Sequence, residues 1–543
     1  MRSFNRQGGN ILQGCGFSFT MGRNSMNINL SHIQTTRVYK TNKISIDLPA
    51  NPIRYYRHGW QSWSLTAWTD LAPLPPQKPT IFLPLQTDAV YAKENNPHGS
   101  WLGAVEFEDG NILLLGALAT DTHVSLVENQ LTGWSEAGEV EWFAVYGQEK
   151  IVFDEYVAQL GIRFGKTDKN HIPRVWCSWY SLYTAIDEKV LHTSFDMLGN
   201  LPFDVLQVDD GWQKDIGDWK ANAKFPSGMQ ALAEKIKSTG RRAGLWLAPL
   251  LVAKSSQLYR EHKDWLLRDE KGQLVSAGFN WGQDLYALDT THPDVISWLV
   301  ALMKLVRRWG FDYYKLDFLY AGALQGKRHK DMPREAAYRE CLRYMREAMG
   351  AGSFFLTCGT PILPALGMCD AIRIGPDVSH EWENYRNETL LYNFATPGTK
   401  NAIRTVVHRL WLKPLVHIDP DVEYFESKEN SLADEHKQQL QDLALICDFK
   451  ATSDLPQWIT TEEREKVRAF LVAETDATQL SRYVYKLDDR IVDFSSAVAL
   501  PPKPTGIALL WGEFLGWLGN WKFVLRIIKM LDDRKLRKRV SRI

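Results

Sequence analysis

The sequence is short of cysteine, of any excess of one charge and of long apolar runs. Its six cysteines among 543 residues have neither metal-ligand spacing nor the pattern of a disulfide framework. Lysine plus arginine equals aspartate plus glutamate, at 64 each, so no overall field favours nucleic acid as a partner. The start, MRSFNRQGGNILQGCG, lacks the continuous apolar core of a secretory signal. These features predict a reduced, cytoplasmic compartment.

Several catalytic signatures are also missing. No glycine-rich phosphate loop follows the first strand of the central region, which argues against a doubly wound nucleotide-binding sheet. The thirteen histidines form no HxxxH or HxH pair, and no serine stands in a GxSxG motif. Asp419 and Asp421 alone are thin support for a bound ion. We therefore predict no metal site and no cofactor.

Tryptophan, by contrast, is abundant. The chain has 21 tryptophans, and aromatic residues make up 12 % of it. Tryptophan mostly fills cores and interfaces, and this explains much of the number. A flat ring also suits the apolar C–H face of a sugar, so the composition leaves a carbohydrate site open.

The pattern of the chain changes near residue 150 and again near residue 170. Residues 1–150 contain β-rich segments separated by turn residues and predict a two-sheet β-sandwich. Residues 151–170 have helical spacing and predict a linker helix. Residues 171–455 alternate eight short apolar strands with helical stretches, which predicts a (β/α)8 TIM barrel. The expected fold class is therefore multidomain, α/β plus β.

The C-terminal part divides into two segments. Residues 456–505 predict a short helix and a small β element. Residues 506–543 form an aromatic, basic and amphipathic helical tail whose apolar stretch is interrupted by Glu513 and Lys522, so no membrane span is predicted. From Trp521 onward, nine Lys/Arg residues stand against two Asp. Such a tail can lie on a membrane surface, on a protein partner or on its own barrel, and these alternatives stay open.

The stretch FDYYKLDFLY at 311–320 carries Lys315 and Asp317 in an otherwise apolar, aromatic strand. Their spacing of two puts both side chains on one face of the strand. Buried charges are costly unless paired, so the two form either a structural ion pair or a working site. In the second case, the lysine would keep Asp317 ionised, because a nearby cation lowers the pKa of a carboxyl group.

Asp377 lies 60 residues after Asp317, at the end of a strand two βα units further on. Alternate strands of one barrel reach over the same mouth, so we expect the two carboxylates to share a pocket. Two carboxylates over one pocket are the groups that glycoside hydrolysis requires. A separation of about 5–5.5 Å between the two carboxyl groups predicts retention, and one of about 6.5–9.5 Å predicts inversion. Arg373, four residues before Asp377, can orient a carboxylate or grip a substrate.

Asp209 and Asp210 end another apolar strand. Adjacent acids repel each other and need hydrogen-bond donors nearby, which the neighbouring hydroxyls of a sugar would supply. The alternative is that one of them caps the following turn. At the rim of a barrel we favour ligand binding.

Together these stretches resemble glycoside hydrolase family 36, the α-galactosidases, and more distantly family 27. The matching motifs occur in family order and are WCSWY at 176–180, VDDGW at 208–212, GDWKANAKFPSGM at 217–229, GLWLAP at 244–249, YYKLDF at 313–318 and RIGPDV at 373–378. The stretch RHGWQSWS at 57–64 matches the N-terminal domain of the family as well.

The resemblance implies a retaining exo-hydrolase that removes terminal α-linked galactose without a cofactor. It implies that Asp317 is the nucleophile and Asp377 the acid/base. It also implies a set of substrate-binding residues, namely Asp209 and Asp210 on the 4- and 6-hydroxyls, Lys315 and Arg373 on other oxygens, Trp246, Trp179 and Cys358 lining the pocket, and either Trp60 or Trp63 from the sandwich. The expected partner is a small-molecule α-galactoside.

Two stretches depart from the family pattern. CGTPILPALGMCD stands where many members carry a glycine-rich segment after the fifth-strand cysteine, and that loop shapes the pocket. The aromatic, basic tail stands where members usually end in a β-sandwich. Three alternatives therefore remain: a hydrolase or transglycosylase for another α-glycoside with the same two carboxylates, a non-catalytic sugar-binding protein, and a membrane-surface scaffold acting through the tail.

Overall fold

The structure is a computed structural model and describes residues 25–35, 37–75, 77–168 and 172–540. The first 24 residues and residues 36 and 76 of the predicted sandwich, residues 169–170 of the predicted linker, residue 171 of the predicted barrel and the last three residues of the predicted tail lie outside these ranges.

Two β-sheets occupy the described part of the first 150 residues. Their strands are β1 (Ser25–Ile28), β2 (Val38–Thr41), β3 (Lys43–Asp47), β4 (Arg54–Arg57), β5 (Ala67–Thr69), β6 (His98–Ser100), β7 (Leu102–Glu106), β8 (Ile112–Ala117), β9 (Thr122–Val127), β10 (Gln130–Ser135) and β11 (Val140–Gly147). Two short helices, α1 (Leu30–Thr35) and α2 (Leu83–Gln86), lie between strands.

One sheet has the order β1-β3-β10-β9-β6 and the other β2-β11-β8-β7-β4-β5. All neighbouring strands run antiparallel except β1 and β3. Alternate residues of the two sheets, such as Ile44 and Ile46 in β3 and Leu113 and Leu115 in β8, meet in one buried apolar cluster. This follows from the two-residue period of a strand, which sends every second side chain to the same face.

Helix α3 (Glu149–Phe164) leads from these sheets to the central region. Its buried residues include Val152, Tyr156 and Leu160, whose four-residue spacing forms one apolar stripe. The hydroxyl of Tyr156 donates to the carbonyl of Ala117 in β8 at 2.8 Å. The helix therefore packs back on the sheet that precedes it.

Eight parallel strands form the central sheet, with short additional strands in the loops between them. In chain order, the strands of this region are β12 (Val175–Cys177), β13 (Val205–Val208), β14 (Gln213–Asp215), β15 (Asp218–Ala221), β16 (Arg242–Leu247), β17 (Leu251–Ala253), β18 (Ser276–Asn280), β19 (Gln283–Ala287), β20 (Tyr313–Leu316), β21 (Phe354–Thr357), β22 (Ala371–Arg373), β23 (His417–Asp419) and β24 (Ala451–Thr452). The sheet order is β23-β22-β21-β20-β16-β13-β12-β24, so sequential strands are neighbours.

The two edges of this sheet meet. Glu423, just after β23, forms a parallel bridge with Thr452 in β24, and its N–H donates to the carbonyl of Ala451 at 2.9 Å. Eight parallel strands that close in this way form the (β/α)8 barrel that the sequence predicts, and this part of the fold class is confirmed.

Helices connect the barrel strands. They are α4 (Trp179–Leu182), α5 (Glu188–Leu198), α6 (Gly228–Ser238), α7 (Gln257–Glu261), α8 (Pro293–Trp309), α9 (Arg334–Met349), α10 (Ile362–Ala365), α11 (Thr399–Val407) and α12 (Asp434–Cys447). In α8, Pro293 occupies the first turn, where its missing N–H costs nothing, and Gly310 ends the helix with a left-handed φ of 102°.

Two predicted strands differ in extent from the observed ones. The stretch RRAGLWLAPLLV is divided, because β16 ends at Leu247 before Pro249 and β17 joins a separate three-stranded sheet with β19 and β18. In LALICDFKATSD, the first five residues belong to α12, and only Ala451–Thr452 pair in the barrel. The apolar run LALIC has no period that separates a buried helix from a buried strand.

The C-terminal part contains four helices and a small sheet. The elements are α13 (Thr461–Val472), β25 (Ala477–Gln479), β26 (Val484–Leu487), β27 (Arg490–Asp493), α14 (Ser495–Val498), α15 (Gly506–Gly519) and α16 (Lys522–Val540). The three strands form an antiparallel sheet in chain order. Throughout the described residues, no helix combines the length and the apolar character that crossing a bilayer requires.

Candidate active site

Acidic and aromatic side chains gather where the barrel strands end. Asp209 follows β13, Asp317 follows β20, and Asp377 comes four residues after the end of β22. In a (β/α)8 barrel the carboxyl ends of all strands meet at one rim, so residues distant in the chain are brought to one place. Functional residues at this rim are held by the rigid sheet beneath them.

Asp317 is held by the backbone and by one tryptophan. Its N–H donates to the carbonyl of Leu247 at 2.8 Å, which continues the ladder between β16 and β20. Its carboxylate accepts from the indole N–H of Trp246 at 2.9 Å and from the N–H of Phe318 at 2.8 Å. The side chain is buried, and both oxygens are held in fixed directions. Trp246, predicted to line the pocket, therefore contacts the predicted nucleophile directly.

Lys315 makes its hydrogen bond with Asp209 rather than with its neighbour on the strand. The Nζ of Lys315 lies 2.8 Å from Oδ2 of Asp209, and both side chains are buried. Burial alone would lower the pKa of Lys315, but the charge of Asp209, reinforced by that of Asp317, raises this pKa well above its usual value. Lys315 is thus a permanent cation beside both acids, and its direct partner differs from the predicted one.

Protein groups already supply donors to Asp209. Its Oδ2 also accepts from Nε2 of Gln207 at 2.6 Å, and its Oδ1 accepts from the N–H of Asp210 at 2.9 Å. The sequence interpretation expected sugar hydroxyls as donors, and the structure adds that protein donors already fill some of the acceptor positions. Gln207 was missed, although it stands two residues before Asp209 on the same face of β13, the spacing that singled out Lys315 and Asp317.

Asp210 takes its hydrogen bonds from two residues that the sequence did not single out. Its Oδ1 accepts from Nε2 of Gln213 at 2.6 Å and its Oδ2 from the indole N–H of Trp281 at 2.8 Å. Burial raises the pKa of Asp210 to about 6, although both hydrogen bonds favour the ionised form. Trp281 stands at the tip of the β18–β19 hairpin, so it reaches Asp210 only because that hairpin folds over the rim.

Asp377 has the chemistry of a proton donor. Burial raises the pKa of Asp377 to about 7, against the opposing charge of Arg373 and with support from Asp421 and Asp317. Its Oδ1 lies 3.4 Å from the guanidinium of Arg373, and its side chain keeps 32 % of its surface exposed to the rim. A carboxyl group with this pKa is protonated for part of the time near neutral pH, while it stays accessible to a ligand.

Arg373 belongs to a buried network behind Asp377. Its guanidinium forms an ion pair with Asp421 and donates to the hydroxyl of Tyr180 at 2.8 Å, and that hydroxyl also bonds Asp421. Asp421 in turn accepts from the N–H of Val378 at 2.9 Å. The arginine is 1 % exposed, so its charge is paired within this network and is not presented freely to the pocket. Tyr180 lies in WCSWY, a motif that the sequence analysis quoted without singling out its tyrosine.

Trp63 and Trp60 have different surroundings. The ring of Trp63 packs edge-on against Phe318, with centroids 5.0 Å apart, and a Cβ at Gly359 would stand 2.8 Å from it. Its indole N–H is buried and has no hydrogen-bond partner among the described residues. Trp60 instead donates to Oε1 of Glu335 at 2.8 Å, in the interface between the N-terminal sheets and α9. Of the two, Trp63 is therefore the one that packs on Phe318, the residue next to Asp317 at the barrel rim.

Cys358 and Trp179 complete the predicted set. Cys358 follows β21, is 1 % exposed, and lies near Asp317, whose charge adds to burial in raising the pKa of the thiol well above its usual value. The thiol is therefore neutral. Trp179 follows β12 and packs edge-on against Tyr183 at a centroid distance of 5.2 Å. The ring of Trp179 therefore packs against a residue of its own loop.

One further group of potential metal ligands lies between the N-terminal sheets and the barrel. Side-chain atoms of Asp88, His123 and Glu136 lie within 4.8 Å of one another. Arg334 is already bound there, however, at 2.5 Å from Asp88 and 2.8 Å from Glu136. Its guanidinium supplies the positive charge between the two carboxylates, so the group acts as an ion-pair network across this interface.

Comparison with known proteins gives the same picture. Residues 147–347 match a family model described as melibiase. The structure is similar to that of TtGalA, an α-galactosidase from Thermus thermophilus in complex with p-nitrophenyl α-D-galactopyranoside, with a TM-score of 0.81, 41 % sequence identity, and coverage of 85 % of this chain and 94 % of that one. Another structure of TtGalA contains stachyose.

More distant relatives share the fold or part of the sequence. The structure of the family 36 α-galactosidase AgaA from Geobacillus stearothermophilus has a TM-score of 0.55 at 15 % identity and covers 79 % of this chain and 61 % of that one, which is a likeness of fold. Among curated proteins, α-galactosidase 2 from Pediococcus pentosaceus is 29 % identical over 175 residues, which is 31 % of this chain. The matched stretches span 23 % of that protein and 18 % of AgaA, about a fifth of the curated relatives' length.

Proposed function

This chain belongs to the α-galactosidase family of glycoside hydrolases, of the family 36 type, and from that membership we propose that it hydrolyses terminal α-linked galactose with retention. One observation carries the proposal: Asp317 and Asp377 stand at one barrel rim, the first held among N–H donors and the second with its pKa raised to about 7. A fixed carboxylate and a protonated one are the two groups that a retaining glycosidase requires.

In the first step, Asp317 attacks the anomeric carbon and forms an ester bond to it. The bond from that carbon to the leaving oxygen breaks, and Asp377 transfers its proton to this oxygen. Positive charge develops on the sugar ring in the transition state, and the negative charge of Asp317 stabilises it. The donors from Trp246 and Phe318 support this role, because they fix the direction in which the carboxylate points.

In the second step, Asp377 is the general base. It takes a proton from a water molecule, whose oxygen attacks the anomeric carbon from the side that the leaving group vacated. The ester bond to Asp317 breaks, and the α-anomer of galactose leaves. Two inversions at the same carbon give net retention.

We infer that Asp209 and Asp210 accept hydrogen bonds from galactose hydroxyls, while Lys315 binds a further oxygen. Protein donors occupy some of the acceptor positions of both acids, which holds the carboxylates in place for the ligand. Trp246, Trp63, Trp179 and Cys358 would line the pocket. The role of Arg373 would be to orient Asp377, since it is buried and paired with Asp421.

Small aryl galactosides and galactose-terminated oligosaccharides are the substrates that we infer. The support is TtGalA, whose structures contain p-nitrophenyl α-D-galactopyranoside and stachyose. We also propose that the chain is cytoplasmic and that it divides as the sequence predicts, into a β-sandwich (1–150), a linker helix (151–170), the barrel (171–455), a small β element (456–505) and an aromatic, basic amphipathic tail (506–543). The shared cluster of the two N-terminal sheets supports the sandwich.

The test is hydrolysis of p-nitrophenyl α-galactoside beside the α-glucoside and the β-galactoside, with NMR to identify the first anomer released. We expect turnover of the α-galactoside with α-galactose appearing first, no turnover by Asp317→Asn, and ordinary turnover by the surface control Asp264→Asn. Turnover of the α-glucoside alone would favour the alternative in which the same two carboxylates hydrolyse another α-glycoside. Galactose binding without turnover would favour the sugar-binding alternative, and products larger than the substrate in excess acceptor would reveal transglycosylation.

A further inference from the structure

The tail helices α15 and α16 are fastened to loops at the rim of the barrel. The Nε of Arg526 donates to the carbonyl of Gly282 at 3.0 Å, and Lys522 forms an ion pair with Asp284. Gly282 and Asp284 belong to the β18–β19 hairpin, whose tip also carries Trp281, the donor to Asp210. Helix α16 therefore lies beside the candidate active site.

Helix α15 is held at the same end of the barrel. Gly512 packs so closely against the carbonyl of Leu390, in the loop that follows β22, that a Cβ there has no room. Further along the same helix, Lys78 packs on Gly516 and pairs with Glu513, and Oδ1 of Asn520 accepts from the N–H of Ile81 at 2.9 Å. The two helices thus span the rim from the loop after β22 to the β18–β19 hairpin.

The outer surface of these helices is apolar and aromatic. Among the described residues, the large exposed apolar side chains of the tail are Ile507, Leu509, Leu510, Trp511, Phe514, Trp517, Trp521, Phe523, Ile527, Ile528, Met530 and Leu531. Their exposed fractions reach 86 % at Ile507 and 68 % at Phe523. Single exposed apolar residues are ordinary, but a concentration of this kind marks a surface that meets a partner.

The aromatic rings form a continuous line along α15 to Trp521, the residue just before α16. Ring centroids lie 5.4 Å apart between Trp511 and Phe514, 6.0 Å between Phe514 and Trp517, and 4.6 Å between Trp517 and Trp521. Three of the four residues are tryptophans, the side chain that prefers the boundary between a bilayer and water. An interfacial helix needs an apolar, aromatic face, and this line of rings supplies it.

An interfacial helix that binds anionic lipid also carries positive charge. From Trp521 onward, nine Lys/Arg stand against two Asp, although the whole chain has equal numbers of basic and acidic residues. An anionic surface complements this excess. A second copy of the chain pairing through the same face would bring a second set of cations to it, which like-charge repulsion disfavours.

We propose that α15 and α16 bind the protein to the surface of an anionic lipid bilayer, with the barrel rim at the bilayer side, and that its substrates include lipids with α-galactosyl head groups. The substrate part rests on the proposed galactosidase activity; the membrane contact does not. The apolar face enters the boundary between head groups and acyl chains, and the basic end binds lipid phosphates. A galactose on a neighbouring lipid then meets the pocket at a high effective concentration.

The test begins with sedimentation of the full chain with vesicles of phosphatidylcholine, alone or mixed with phosphatidylglycerol. We expect binding to the mixed vesicles, weaker binding at about 1 M salt because exposed charges are screened, and little binding to the neutral vesicles. The triple variant Trp511→Ser, Trp517→Ser, Phe523→Ser and the charge variant Lys535→Glu, Lys538→Glu should each lower the bound fraction about tenfold.

Matched controls separate this surface from general effects. Ile162→Ser removes an apolar side chain that is 81 % exposed on α3, and Lys93→Glu with Lys189→Glu reverses two exposed charges that do not belong to the tail. Both controls should bind vesicles like the wild type. All variants should keep the wild-type rate on soluble p-nitrophenyl α-galactoside, whereas the tail variants should lose about tenfold in rate on an α-galactosyl lipid held in mixed vesicles.

Four outcomes are decisive. Equal binding of wild type and tail variants, or of neutral and anionic vesicles, would overturn the membrane contact. A dimer in light scattering that the triple variant abolishes, without vesicle binding, would overturn it in favour of a second copy. Vesicle binding without any turnover would support the contact and overturn the proposed hydrolase function. Turnover of the soluble galactoside with equal rates of all variants on the lipid would overturn the lipid-substrate inference alone.

Discussion

Lys315 donates to Asp209 across the barrel at 2.8 Å, while Asp317, two residues along the same strand, takes its hydrogen bonds from Trp246 and Phe318. The lysine therefore neutralises one acid by direct contact and acts on the other through its field. The side chains of Lys315 and Asp209 are both buried, so each charge relies on the other for compensation. Removing one charge leaves the other without compensation in a region of low polarity.

Lys315→Met should lower the free energy of unfolding by about 3–5 kcal/mol, because Asp209 is left buried without its cation. Adding Asp209→Asn should restore part of that loss. Denaturant unfolding of both variants measures the two effects. Lys235→Met, which breaks the more exposed pair with Asp196, is the control and should cost no more than about 1 kcal/mol. Equal losses from Lys315→Met and Lys235→Met would contradict the buried-pair interpretation.

Azide should distinguish the two catalytic carboxylates. In Asp317→Gly, azide occupies the space of the nucleophile and attacks in a single displacement, so the product is β-galactosyl azide. In Asp377→Gly with an activated aryl galactoside, the ester on Asp317 still forms, and azide then attacks from the opposite face to give α-galactosyl azide. NMR of the products reads the configuration directly. The same anomer from both variants would refute the assignment of roles.

The rate should fall on the basic side as Asp377 loses its proton. Because its raised pKa is about 7, the protonated acid is present below that pH and disappears above it, so kcat/KM should decline through about pH 7. The charge of Asp421 helps to raise this pKa, and Asp421→Asn should therefore move the basic limb to lower pH. The pH profiles of kcat/KM of the wild type and of Asp421→Asn measure the position of the basic limb in each. The control Asp264→Asn should leave the profile in place, and an upward movement in Asp421→Asn would contradict the electrostatic account.

Trp281→Phe should weaken substrate binding through Asp210. The indole N–H favours the ionised form of Asp210, so its loss should raise the pKa of that carboxyl above about 6 and move the acidic limb of kcat/KM to higher pH. We expect KM to increase about tenfold, the usual effect of one hydrogen bond to a charged group. Trp298→Phe on α8 is the matched control. A change in kcat with KM and the acidic limb unaltered would argue against this positioning role.

The two tryptophans of GWQSW should fail in different ways. Trp63→Phe removes an indole N–H that has no partner within the described part of the chain, and it should raise KM several-fold while leaving stability within about 1 kcal/mol. Trp60→Phe removes the donor to buried Glu335 and should lower the free energy of unfolding by about 1–3 kcal/mol with KM unchanged. Both variants are measured by steady-state kinetics and by denaturant unfolding, and each variant serves as the control for the other. The reverse assignment would follow if Trp60→Phe alone raised KM.

The alternation of strands and helices was readable from the sequence, because apolar periodicity is a local property. All eight barrel strands were located in order, and the errors lay at RRAGLWLAPLLV and LALIC, where a proline or a featureless apolar run made the boundary ambiguous. The acids Asp209, Asp317 and Asp377 were also readable, since each follows an apolar strand and barrel rims collect such residues. Gln207 could have been found by the same two-residue spacing.

Partners across the barrel could not be read in this way. Lys315 and Asp209 are 106 positions apart, and Trp281 and Asp210 are 71 apart, so their contacts depend on strand order and on a hairpin that folds over the rim. Trp63 and Trp60 are alike in sequence, and only the packing of the N-terminal sheets on the barrel separates them. The sequence by itself determined which residues could be acids, cations and aromatic surfaces, because those are properties of single side chains and short periods. Tertiary structure alone decided which of them touch, because a contact between distant residues is a property of the whole fold.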